Sequence, residues 1–547
     1  MREPSSFRPR SIFRTAAAAV LLLGLATACR QPPSDRAEVV VYGGTAGGVI
    51  AAVSAAREGR KVIVLEPGER LGGMISGGLS ANDVGTEAVI GGFSREFFER
   101  AGKYYGVPIQ WNVEPHVAEK ILEDMAHEAG VTVLYGQRLR ETNGVSKHGT
   151  HIDALTMENG RSFRAKIFLD ATYEGDLMAQ ANVSYTWGRE SSARYGESLA
   201  GVRVRTPKHQ FELKVSAFDR QGKLLPEIQP GPRGAPGSGD RKVQAYNFRL
   251  CMTQVRSNLV TVPRPASYVS ARYALLARTM SAMESKLRRP LTVGEVLSVV
   301  PIPNGKADIN NNGAFSTDFI GGNWDYPQAD YAARAEIWQA HRDYEQGLIY
   351  FLMTDGQVSN ALRKEMQSWG LCRDEFVQTG HWPHQLYIRE ARRMLGEFVM
   401  TQRDIQDELT KPDSVGMGSY NSDSHNVQRF VDERGFVQNE GDMQVEVQPY
   451  QIPYGILLPK RNEASNLLVP VAFSASHVAY STLRMEPQYM ILGQAAGVAA
   501  HLAIRGGTSV QDLDRATLSA ILRKQRAVLE LHTAAPTQSL AGAGSPG

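Results

Sequence analysis

The pattern of apolar and polar positions predicts a β-α-β unit near the start of the chain. Residues 37–42 form an apolar run typical of a buried strand, residues 48–58 are small and apolar as in a closely packed helix, and residues 61–66 form a second apolar run. Two strands joined by a helix within about 30 residues imply a parallel sheet with a right-handed crossover. The chain is therefore expected to contain a Rossmann-type α/β domain.

The patterning continues along the rest of the chain. Residues 152–168 predict a β-hairpin that turns at Asn159-Gly160, and the Pro- and Gly-rich residues 221–240 predict a loop. The other predicted elements are helices at 115–129, 266–289, 328–350 and 487–504, strands at 131–136 and 466–472, and a strand leading into a helix at 386–404.

These elements predict a discontinuous domain organisation. The first β-α-β unit and the late apolar helix have the same small-residue character, although a long mixed segment separates them. One cofactor domain is therefore expected from residues 37–190 and 451–532, interrupted by a mixed α+β substrate domain over residues 191–450. Residues 533–547 have the composition of a disordered tail.

The first 36 residues have the pattern of an export signal followed by a tether. A basic stretch precedes the apolar run AAAAVLLLGLATA, which ends at Cys29 and is short for a membrane span. Residues Ala26–Ala28 admit two interpretations. They resemble a bacterial lipobox, which would lipidate Cys29 and attach the protein to a membrane, and they also satisfy the A-x-A rule for ordinary signal cleavage. Both predict a periplasmic or cell-surface protein.

Composition and charge narrow the functional classes. The chain has 547 residues and a net charge of only +3, with Lys and Arg spread along it, which argues against nucleic acid as a partner. Only Cys251 and Cys372 would remain after processing. One disulfide is possible, but two cysteines cannot supply the four ligands typical of an iron–sulfur cluster. No His/Cys set has zinc spacing, so no metal is expected.

The stretch VVVYGGTAGGVIAA has the context of a dinucleotide-binding turn, because it follows a predicted strand and opens a predicted helix. Gly43 would make the tight turn, and Gly48 would let the helix pack closely. Thr45 stands where a glycine is usual, and its side chain could obstruct the pyrophosphate. Gly44 or Gly47 would then supply the close approach, and a purely structural turn is the alternative. The predicted cofactor residues here are Gly43, Gly44, Thr45, Ala46, Gly47 and Gly48.

The next stretch, EPGERLGGMISGGL, favours FAD among the dinucleotides. Glu66 ends the second strand, where an acid commonly binds ribose hydroxyls. Arg70, the Gly72-Gly73 pair and Met74 resemble the second glycine pair of many FAD enzymes, in which backbone N–H groups reach the cofactor. NAD-only dehydrogenases generally lack this pair. A flexible loop is the alternative interpretation.

Further motifs make a family resemblance specific. They are LDATYEGDLM, NGKADINN, LYIREARRMLGE, GSYNSDSHNVQR and SASHVAYSTLRMEPQYMILGQAAGVAA. Together they resemble the FAD-dependent oxidoreductase family of bacterial secreted flavoproteins, whose members are often labelled xanthan lyase-related. The resemblance covers about residues 38–530, and threonine in the glycine turn also occurs in that family. A more distant similarity is to the flavoprotein subunits of fumarate and heterodisulfide reductases.

The resemblance implies roles for residues outside the glycine turns. Asp170 and Thr172 would belong to the second FAD strand–turn motif, and Asp176 would bind ribityl hydroxyls or cap the helix that follows. The helix after Pro487 would point its positive end at the flavin and stabilise the reduced form. Glu486 would lie near the flavin ring. Gly493 and Ala496 complete the predicted cofactor set.

The catalytic candidates are arginines and histidines. Arg389 and Arg393 would share a helix face with Arg392 nearby, and this group would either clamp a substrate anion or form a buried ion-pair network. Arg484 would lie near the flavin ring. His425 and His477, which lie in polar, loop-like stretches, are the candidates for a general base that takes a proton from the substrate.

The leading interpretation is an exported FAD-dependent oxidoreductase. It would transfer a hydride between flavin N5 and a small polar substrate, a sugar or a hydroxy acid, and would use an electron acceptor of unknown identity. One alternative is a protein associated with a polysaccharide lyase or hydrolase. The other is a non-catalytic FAD-binding surface protein.

Overall fold

The computed structural model describes residues 35–407 and 410–531. The predicted lipidation site Cys29 and the predicted tail at 533–547 lie outside the described residues. Within the described part of the chain, no helix is both long and apolar enough to cross a membrane.

The helices of the described chain range from four to 24 residues. They are α1 (Ala46–Arg57), α2 (Gly92–Tyr105), α3 (Pro115–Glu128), α4 (Asp176–Gln180), α5 (Ser192–Tyr195), α6 (Ala274–Leu287), α7 (Tyr331–Thr354), α8 (Asn360–Met366), α9 (Gln402–Gln406), α10 (His477–Leu483), α11 (Glu486–Gly506) and α12 (Arg515–Lys524).

The strands are short. They are β1 (Asp35–Arg36), β2 (Val39–Tyr42), β3 (Val62–Leu65), β4 (Thr132–Leu134), β5 (Val145–His148), β6 (His151–Thr156), β7 (Ser162–Arg164), β8 (Ile167–Asp170), β9 (Tyr185–Thr186), β10 (Leu250–Thr253), β11 (Leu259–Val260), β12 (Leu297–Ile302), β13 (Lys306–Asn311), β14 (Gly370–Cys372), β15 (Arg393–Met394), β16 (Ser414–Gly418), β17 (Ser422–Ser424), β18 (Gln428–Val431), β19 (Val437–Glu440), β20 (Met443–Val445), β21 (Tyr450–Pro453) and β22 (Leu467–Leu468).

A five-stranded parallel sheet in the order β22-β8-β2-β3-β4 forms the first layer that matters for the site. Its strands β2, β3 and β8 are fully buried, which fits their unbroken apolar runs. Tyr42 pairs with both Leu65 and Asp170, so these three strands end at the same level. The residues that follow them therefore meet at one edge of the sheet, where ligands bind in such folds. The α/β, Rossmann-type prediction is confirmed.

An antiparallel sheet in the order β11-β14-β10-β13-β12 lies in the middle of the chain, with α6, α7 and α8 around it in sequence. Cys251 in β10 and Cys372 in β14 form a disulfide with their Cα atoms 5.7 Å apart. The parallel sheet takes β22 from the late part of the chain and its other strands from the early part. The domain boundaries at residues 190 and 450 stay predictions.

Most predicted elements are present, including the hairpin β6–β7 and the helices α3, α6, α7 and α11. Residues 221–240 contain no helix or strand, as predicted. The prediction for residues 386–404 is wrong. Only the two residues of β15 and the first three residues of α9 are regular there. The segment from Arg389 to Arg392 is irregular, and its buried side chains reach separate partners.

Lys306 ties the antiparallel sheet to the start of α3. Its Nζ lies 2.6 Å from Glu114, 2.8 Å from Asp374 and 2.8 Å from Glu375. The side chains of Glu114, His116 and Glu375 lie close enough together to share a cation. Lys306 places its ammonium group against both buried carboxylates and partly offsets their charge.

Candidate cofactor and active site

The first glycine turn joins β2 to α1 at the carboxyl edge of the parallel sheet. Gly43 has a φ of +102°, and a Cβ there would lie 2.8 Å from the backbone of Ala171. A Cβ on Gly48 would lie 2.1 Å from the carbonyl oxygen of Gly43. The predicted turn role of Gly43 and packing role of Gly48 are confirmed, while their contact with a cofactor stays a prediction.

Thr45 is the N-cap of α1. Its Oγ1 accepts a hydrogen bond from the N–H of Gly48 at 3.1 Å and donates one to the carbonyl oxygen of Ala171 at 2.8 Å. The hydroxyl is therefore engaged inside the protein, and Thr45 itself lines the cavity described below. The N–H groups before Gly48 have no partners within the helix and lie at its positive end. The binding of a pyrophosphate at this turn stays a prediction.

Gly44 and Gly47, the two glycines predicted to approach the pyrophosphate where Thr45 cannot, contact different neighbours. Gly44 donates its N–H to Glu66 Oε2 at 2.7 Å. A Cβ on Gly47 would lie 2.9 Å from the carbonyl oxygen of Tyr489 in α11. Gly47 therefore packs on a neighbouring helix, and its predicted close approach to a cofactor stays a prediction. Ala46, the first residue of α1, is fully buried.

Glu66 faces a cavity of about 640 Å³ at this edge of the sheet. Its Oε1 accepts a hydrogen bond from the N–H of Gly68 at 2.6 Å, in addition to the bond from Gly44. Burial raises the pKa of Glu66 to about 7. A buried carboxyl that faces a cavity can accept hydrogen bonds from ligand hydroxyls, which agrees with the predicted ribose contact.

The opposite wall of the cavity comes from one face of α7, which the sequence did not identify as part of the site. Tyr331, Arg334, Trp338 and Arg342 recur at helical spacing and all line the cavity. The spacing was readable from the sequence, but an aromatic and basic helix face fits a packed surface equally well. Only the tertiary arrangement places this face opposite Glu66.

The second glycine pair folds against the first turn. Gly72 and Gly73 have φ values of +103° and +59°. The N–H of Gly72 donates to the carbonyl oxygen of Gly44 at 2.7 Å. A Cβ on Gly73 would lie 2.4 Å from the hydroxyl of Tyr173. The flexible-loop alternative is therefore wrong, because both glycines are required by backbone conformation or by a close contact.

Neighbours of the second pair complete this side of the cavity. Arg70 lines the cavity and forms an ion pair with Glu119 at 2.9 Å. The N–H of Met74 donates to the hydroxyl of Tyr173 at 2.8 Å. Tyr173 in turn donates to Glu486 Oε1 at 2.7 Å, so the second glycine pair is linked to the start of α11.

Asp170, which ends β8, and Asp176 are both held by partners within the protein. Asp170 accepts hydrogen bonds from Thr172 Oγ1 at 2.7 Å and from the N–H of Met178 at 2.8 Å, and burial raises its pKa to about 6. Gly175, not Asp176, is the N-cap of α4. The predicted capping role of Asp176 is therefore wrong.

Asp176 lines the cavity and is held by two arginines. Arg334 Nη1 lies 2.7 Å and Arg392 Nη1 2.6 Å from its carboxylate oxygens. Burial opposes ionisation, but the two guanidinium groups hold the pKa of Asp176 below its ordinary value. Its contact with ribityl hydroxyls stays a prediction.

The start of α11 holds buried polar groups without partners. Glu486 Oε2 and both amide atoms of Gln488 have no hydrogen-bond partner in the described part of the chain. Burial raises the pKa of Glu486 to about 8. Because Tyr173 both lines the cavity and bonds to Glu486, the helix begins beside the cavity. Its N-terminal dipole and the Gln488 amide suit the alternating donors and acceptors of a flavin edge.

Gly493 and Ala496 lie in the contact between α11 and the N-terminal region. A Cβ on Gly493 would lie 2.1 Å from the carbonyl oxygen of Gly47, and Ala496 is fully buried. Gly493 therefore has a packing role, because helix backbone already fills the space beside it, and its predicted contact with the cofactor stays a prediction. The small residues of α11 allow α1 to lie close beside it.

The predicted arginine clamp is a set of buried ion pairs. Arg389 lies 3.1 Å from Asp318 and also donates to the carbonyl oxygen of Ala245 at 2.5 Å. Arg393 lies 2.9 Å from Glu190 and 2.8 Å from Glu390. The shared helix face predicted for these arginines is wrong, and the ion-pair alternative describes them. Side chains with such partners are not free to clamp an anion.

The two candidate bases are each paired with a carboxylate. His425 Nδ1 lies 2.6 Å from Asp318, between β17 and β18, and His477 Nδ1 lies 2.8 Å from Glu390. His477 is the first residue of α10, which corrects its predicted loop position. Gln244 joins the pairs, since it donates to Glu390 at 3.0 Å and accepts from the N–H of His425 at 3.1 Å.

His425 adjoins a group of three ion pairs, named here the three-pair cluster. Its members are Arg249–Asp308, Arg389–Asp318 and Arg484–Asp423, at distances of 2.8, 3.1 and 3.7 Å in that order. The ring of Tyr387 lies under the guanidinium groups of Arg249 and Arg389. Its hydroxyl lies 3.4 Å from Arg484.

The segment after the second glycine pair connects the cavity to the three-pair cluster. The N–H groups of Ser80 and Ala81 both donate to Asp308 Oδ2 at 2.8 Å. A Cβ on Gly78 would lie 2.5 Å from the carbonyl oxygen of Arg249. Arg484 also lies two residues before Glu486. Two chain segments thus run from the cavity to the cluster.

These features fit FAD. The open start of α1 can take a pyrophosphate, and Glu66 faces the cavity as a ribose acceptor. The unpartnered Gln488 amide offers both a donor and an acceptor at the start of α11.

Comparisons with known proteins agree with this site. A family model described as FAD dependent oxidoreductase matches residues 38–522. No curated protein sequence matches the chain.

Comparison with solved structures gives matches of low identity and low TM-score. A geranylgeranyl bacteriochlorophyll reductase-like protein from Thermoplasma acidophilum is 13% identical, and the match covers 90% of this chain and 85% of that chain with a TM-score of 0.34. L-proline dehydrogenase from P. horikoshii is 16% identical over 29% of this chain and 59% of its own, with a TM-score of 0.24. OxyS anhydrotetracycline hydroxylase from Streptomyces rimosus is 15% identical over 28% of this chain and 35% of its own, with a TM-score of 0.23. The matched part of this chain thus spans about a third of the length of the hydroxylase and about three fifths of the length of the proline dehydrogenase.

Proposed function

Since the chain belongs to the FAD dependent oxidoreductase family and has FAD as its cofactor, we propose that it oxidises or reduces a small polar substrate, a sugar or a hydroxy acid. When bound, FAD supplies a two-electron hydride acceptor or donor at N5. In the oxidising direction, the substrate carbon loses a hydride, its hydroxyl loses a proton, and a carbonyl bond forms. The protein must therefore hold the substrate and receive that proton.

The observation that carries this proposal is the contact between His425 and Asp318. Burial alone would raise the pKa of Asp318, but Arg389 and His425 lower it to about 2, so the carboxylate is ionised at neutral pH. An ionised partner keeps the ring proton on Nδ1 and leaves Nε2 to accept a proton. His425 thereby has the tautomer that a general base requires.

His477 is the other candidate base, and its surroundings favour a positioning role. Its carboxylate partner Glu390 is shared with Arg393 and Gln244. His477 also donates its backbone N–H to Glu190. These contacts hold the start of α10 in place, whereas His425 lies beside the three-pair cluster.

The test is anaerobic reduction of the bound flavin by sugars and hydroxy acids. The loss of flavin colour measures the rate of that reduction. His425→Asn should slow this reduction by about 10²- to 10⁴-fold, because a general base contributes that much. The FAD content should stay unchanged. His477→Asn is the matched comparison and should slow reduction less. Equal rates for the wild type and His425→Asn would rule out His425 as the base.

We also propose that the protein is exported and attached to a membrane through a lipidated Cys29. The lipobox-like residues before Cys29 support attachment. The Cys251–Cys372 disulfide supports an oxidising compartment outside the cytosol. Cell fractionation of the wild type and Cys29→Ser tests the proposal. Release of Cys29→Ser from the membrane fraction is expected, and equal membrane retention of both would contradict a lipid anchor.

A further inference from the structure

The three-pair cluster limits the charge of a substrate that could bind beside His425. Each of its arginines already has a carboxylate partner, namely Asp308, Asp318 or Asp423. The three pairs together carry no net charge. An anionic substrate would therefore find no free cation among them.

Two further acids lie beside the cluster. Asp83 lies near Arg249, Asp423 and Arg484, and Asp442 lies near Asp423. Burial raises the pKa of both groups, and the negative charge of Asp423 raises them further. Neither acid supplies a free cation, and the charge of Asp423 would disfavour a substrate carboxylate in the same way.

The unpartnered atoms of the cluster indicate what a ligand must offer. Asp423 Oδ1 is an acceptor and Arg484 Nε a donor, and neither has a hydrogen-bond partner within residues 35–407 and 410–531. His425 Nε2 lies 4.0 Å from the same Asp423 oxygen. A ligand that satisfies all three atoms must donate and accept at neighbouring positions.

Of the carboxylate, the ammonium group and the hydroxyl group, only the hydroxyl group can both donate to Asp423 and accept from Arg484. A carboxylate accepts hydrogen bonds but donates none, and an ammonium group donates but does not accept. A hydroxyl group donates one hydrogen bond and accepts two. Adjacent hydroxyls on one carbon skeleton could therefore pair with Asp423, Arg484 and His425 together.

We propose that the substrate bound beside His425 is a neutral polyhydroxylated molecule, a sugar or polyol, rather than a hydroxy acid or an amine. This inference rests on the proposed function, and it decides between the two substrate classes left open there. The hydroxyl next to His425 is the one oxidised, and a neighbouring hydroxyl donates to Asp423 while it accepts from Arg484.

The experiment compares matched sugars on the FAD-loaded protein under anaerobic conditions. Each neutral aldohexose is tested beside its uronic acid and its 2-amino sugar, and simple hydroxy acids are included. We expect the neutral sugars to reduce the flavin with at least about tenfold higher second-order rate constants than their charged counterparts. Faster reduction by uronic or hydroxy acids would overturn the inference and leave the proposed function standing. If dithionite alone bleaches the flavin, both fail.

Asp423→Asn provides a second readout. The variant removes the negative charge but keeps the shape, so the ratio of neutral-sugar to uronic-acid rate constants should fall several-fold. The exposed Glu212→Gln is the matched control and should leave that ratio unchanged. Bound FAD and thermal unfolding show whether each variant is folded. A folded Asp423→Asn variant with an unchanged ratio would contradict the inference.

Discussion

Thr45 donates a hydrogen bond to the carbonyl oxygen of Ala171 at 2.8 Å, which joins the start of α1 to the residue after β8. The same hydroxyl caps the helix by accepting the N–H of Gly48. A residue that looks like an obstruction in the glycine turn is therefore part of its support. The bond also fixes the distance between the two chain segments that flank the cavity.

Removing the Thr45 hydroxyl should destabilise the protein. Thr45→Val keeps the side-chain shape but loses the cap and leaves the Ala171 carbonyl unpaired. Loss of a cap costs about 0.5–2 kcal/mol, and an unpaired buried acceptor adds about 1–3 kcal/mol. Urea denaturation measures the change. Thr45→Ser keeps the hydroxyl and should stay close to the wild type. Equal losses in both variants would show that the hydroxyl is not responsible.

A methyl group at Gly493 should force α1 and α11 apart. Its Cβ would lie 2.1 Å from the Gly47 carbonyl oxygen, and overpacking of this kind costs about 1–3 kcal/mol or more. Gly506, near the end of the same helix, has only the Thr508 side chain within 4 Å of such a Cβ, at 3.4 Å. Gly506→Ala should therefore be neutral or stabilising. Thermal unfolding of both variants tests this, and a stable Gly493→Ala variant would contradict the packing.

The buried carboxyl of Glu486 should make stability depend on pH. Its pKa rises from 4.5 to about 8 on folding, because burial disfavours the charged form. Such a group favours the folded state fully below pH 4.5, and this contribution is lost as the pH rises through 8. Glu486→Gln removes the effect.

The free energy of unfolding of the flavin-free protein at pH 5, 7 and 9 tests this dependence. The free energy of unfolding of Glu486→Gln, minus that of the wild type, should grow with pH. The growth should be at most about 1.4 kcal/mol for each pH unit up to pH 8. The exposed Glu212→Gln should show a difference that does not change with pH. A gain for Glu486→Gln that is the same at all three pH values would contradict a raised pKa.

Lys306 should be required for the contact between the antiparallel sheet and α3. Lys306→Met leaves Glu114 and Glu375 buried without their cation, and breaking a buried pair in this way costs about 3–5 kcal/mol. Lys286 forms only an exposed pair with Glu212 at 3.9 Å. Lys286→Met should change the free energy of unfolding by less than about 1 kcal/mol. Chemical denaturation compares them, and equal small effects would contradict the role of Lys306.

Several parts of the site were predictable from sequence because they depend on local backbone geometry. Gly43 needs a positive φ, and Gly48 must leave room for the turn just before it. The edge position of Glu66 follows from the apolar run that it ends. Each of these features involves residues close together in the chain, so a single sequence records them.

The arginines show where this reasoning fails. Arg389 was assigned to a helix by its spacing from Arg393, but its partner Asp318 lies far away in the chain. Burying several charged side chains in one segment requires each to reach its own counter-charge. The backbone then follows those partners instead of the local helical pattern, and no spacing rule identifies them.

The sequence by itself determined the parallel sheet, the glycine turns and the choice of FAD, since apolar periodicity and glycine conformation act over short distances. The tertiary structure alone decided where the Thr45 hydroxyl points, that Gly47 and Gly493 face each other, and which acids neutralise the arginines. These outcomes depend on contacts between segments that are tens to hundreds of residues apart. Their energies are set by burial and by the nearest opposite charge, which exist only after the chain has folded.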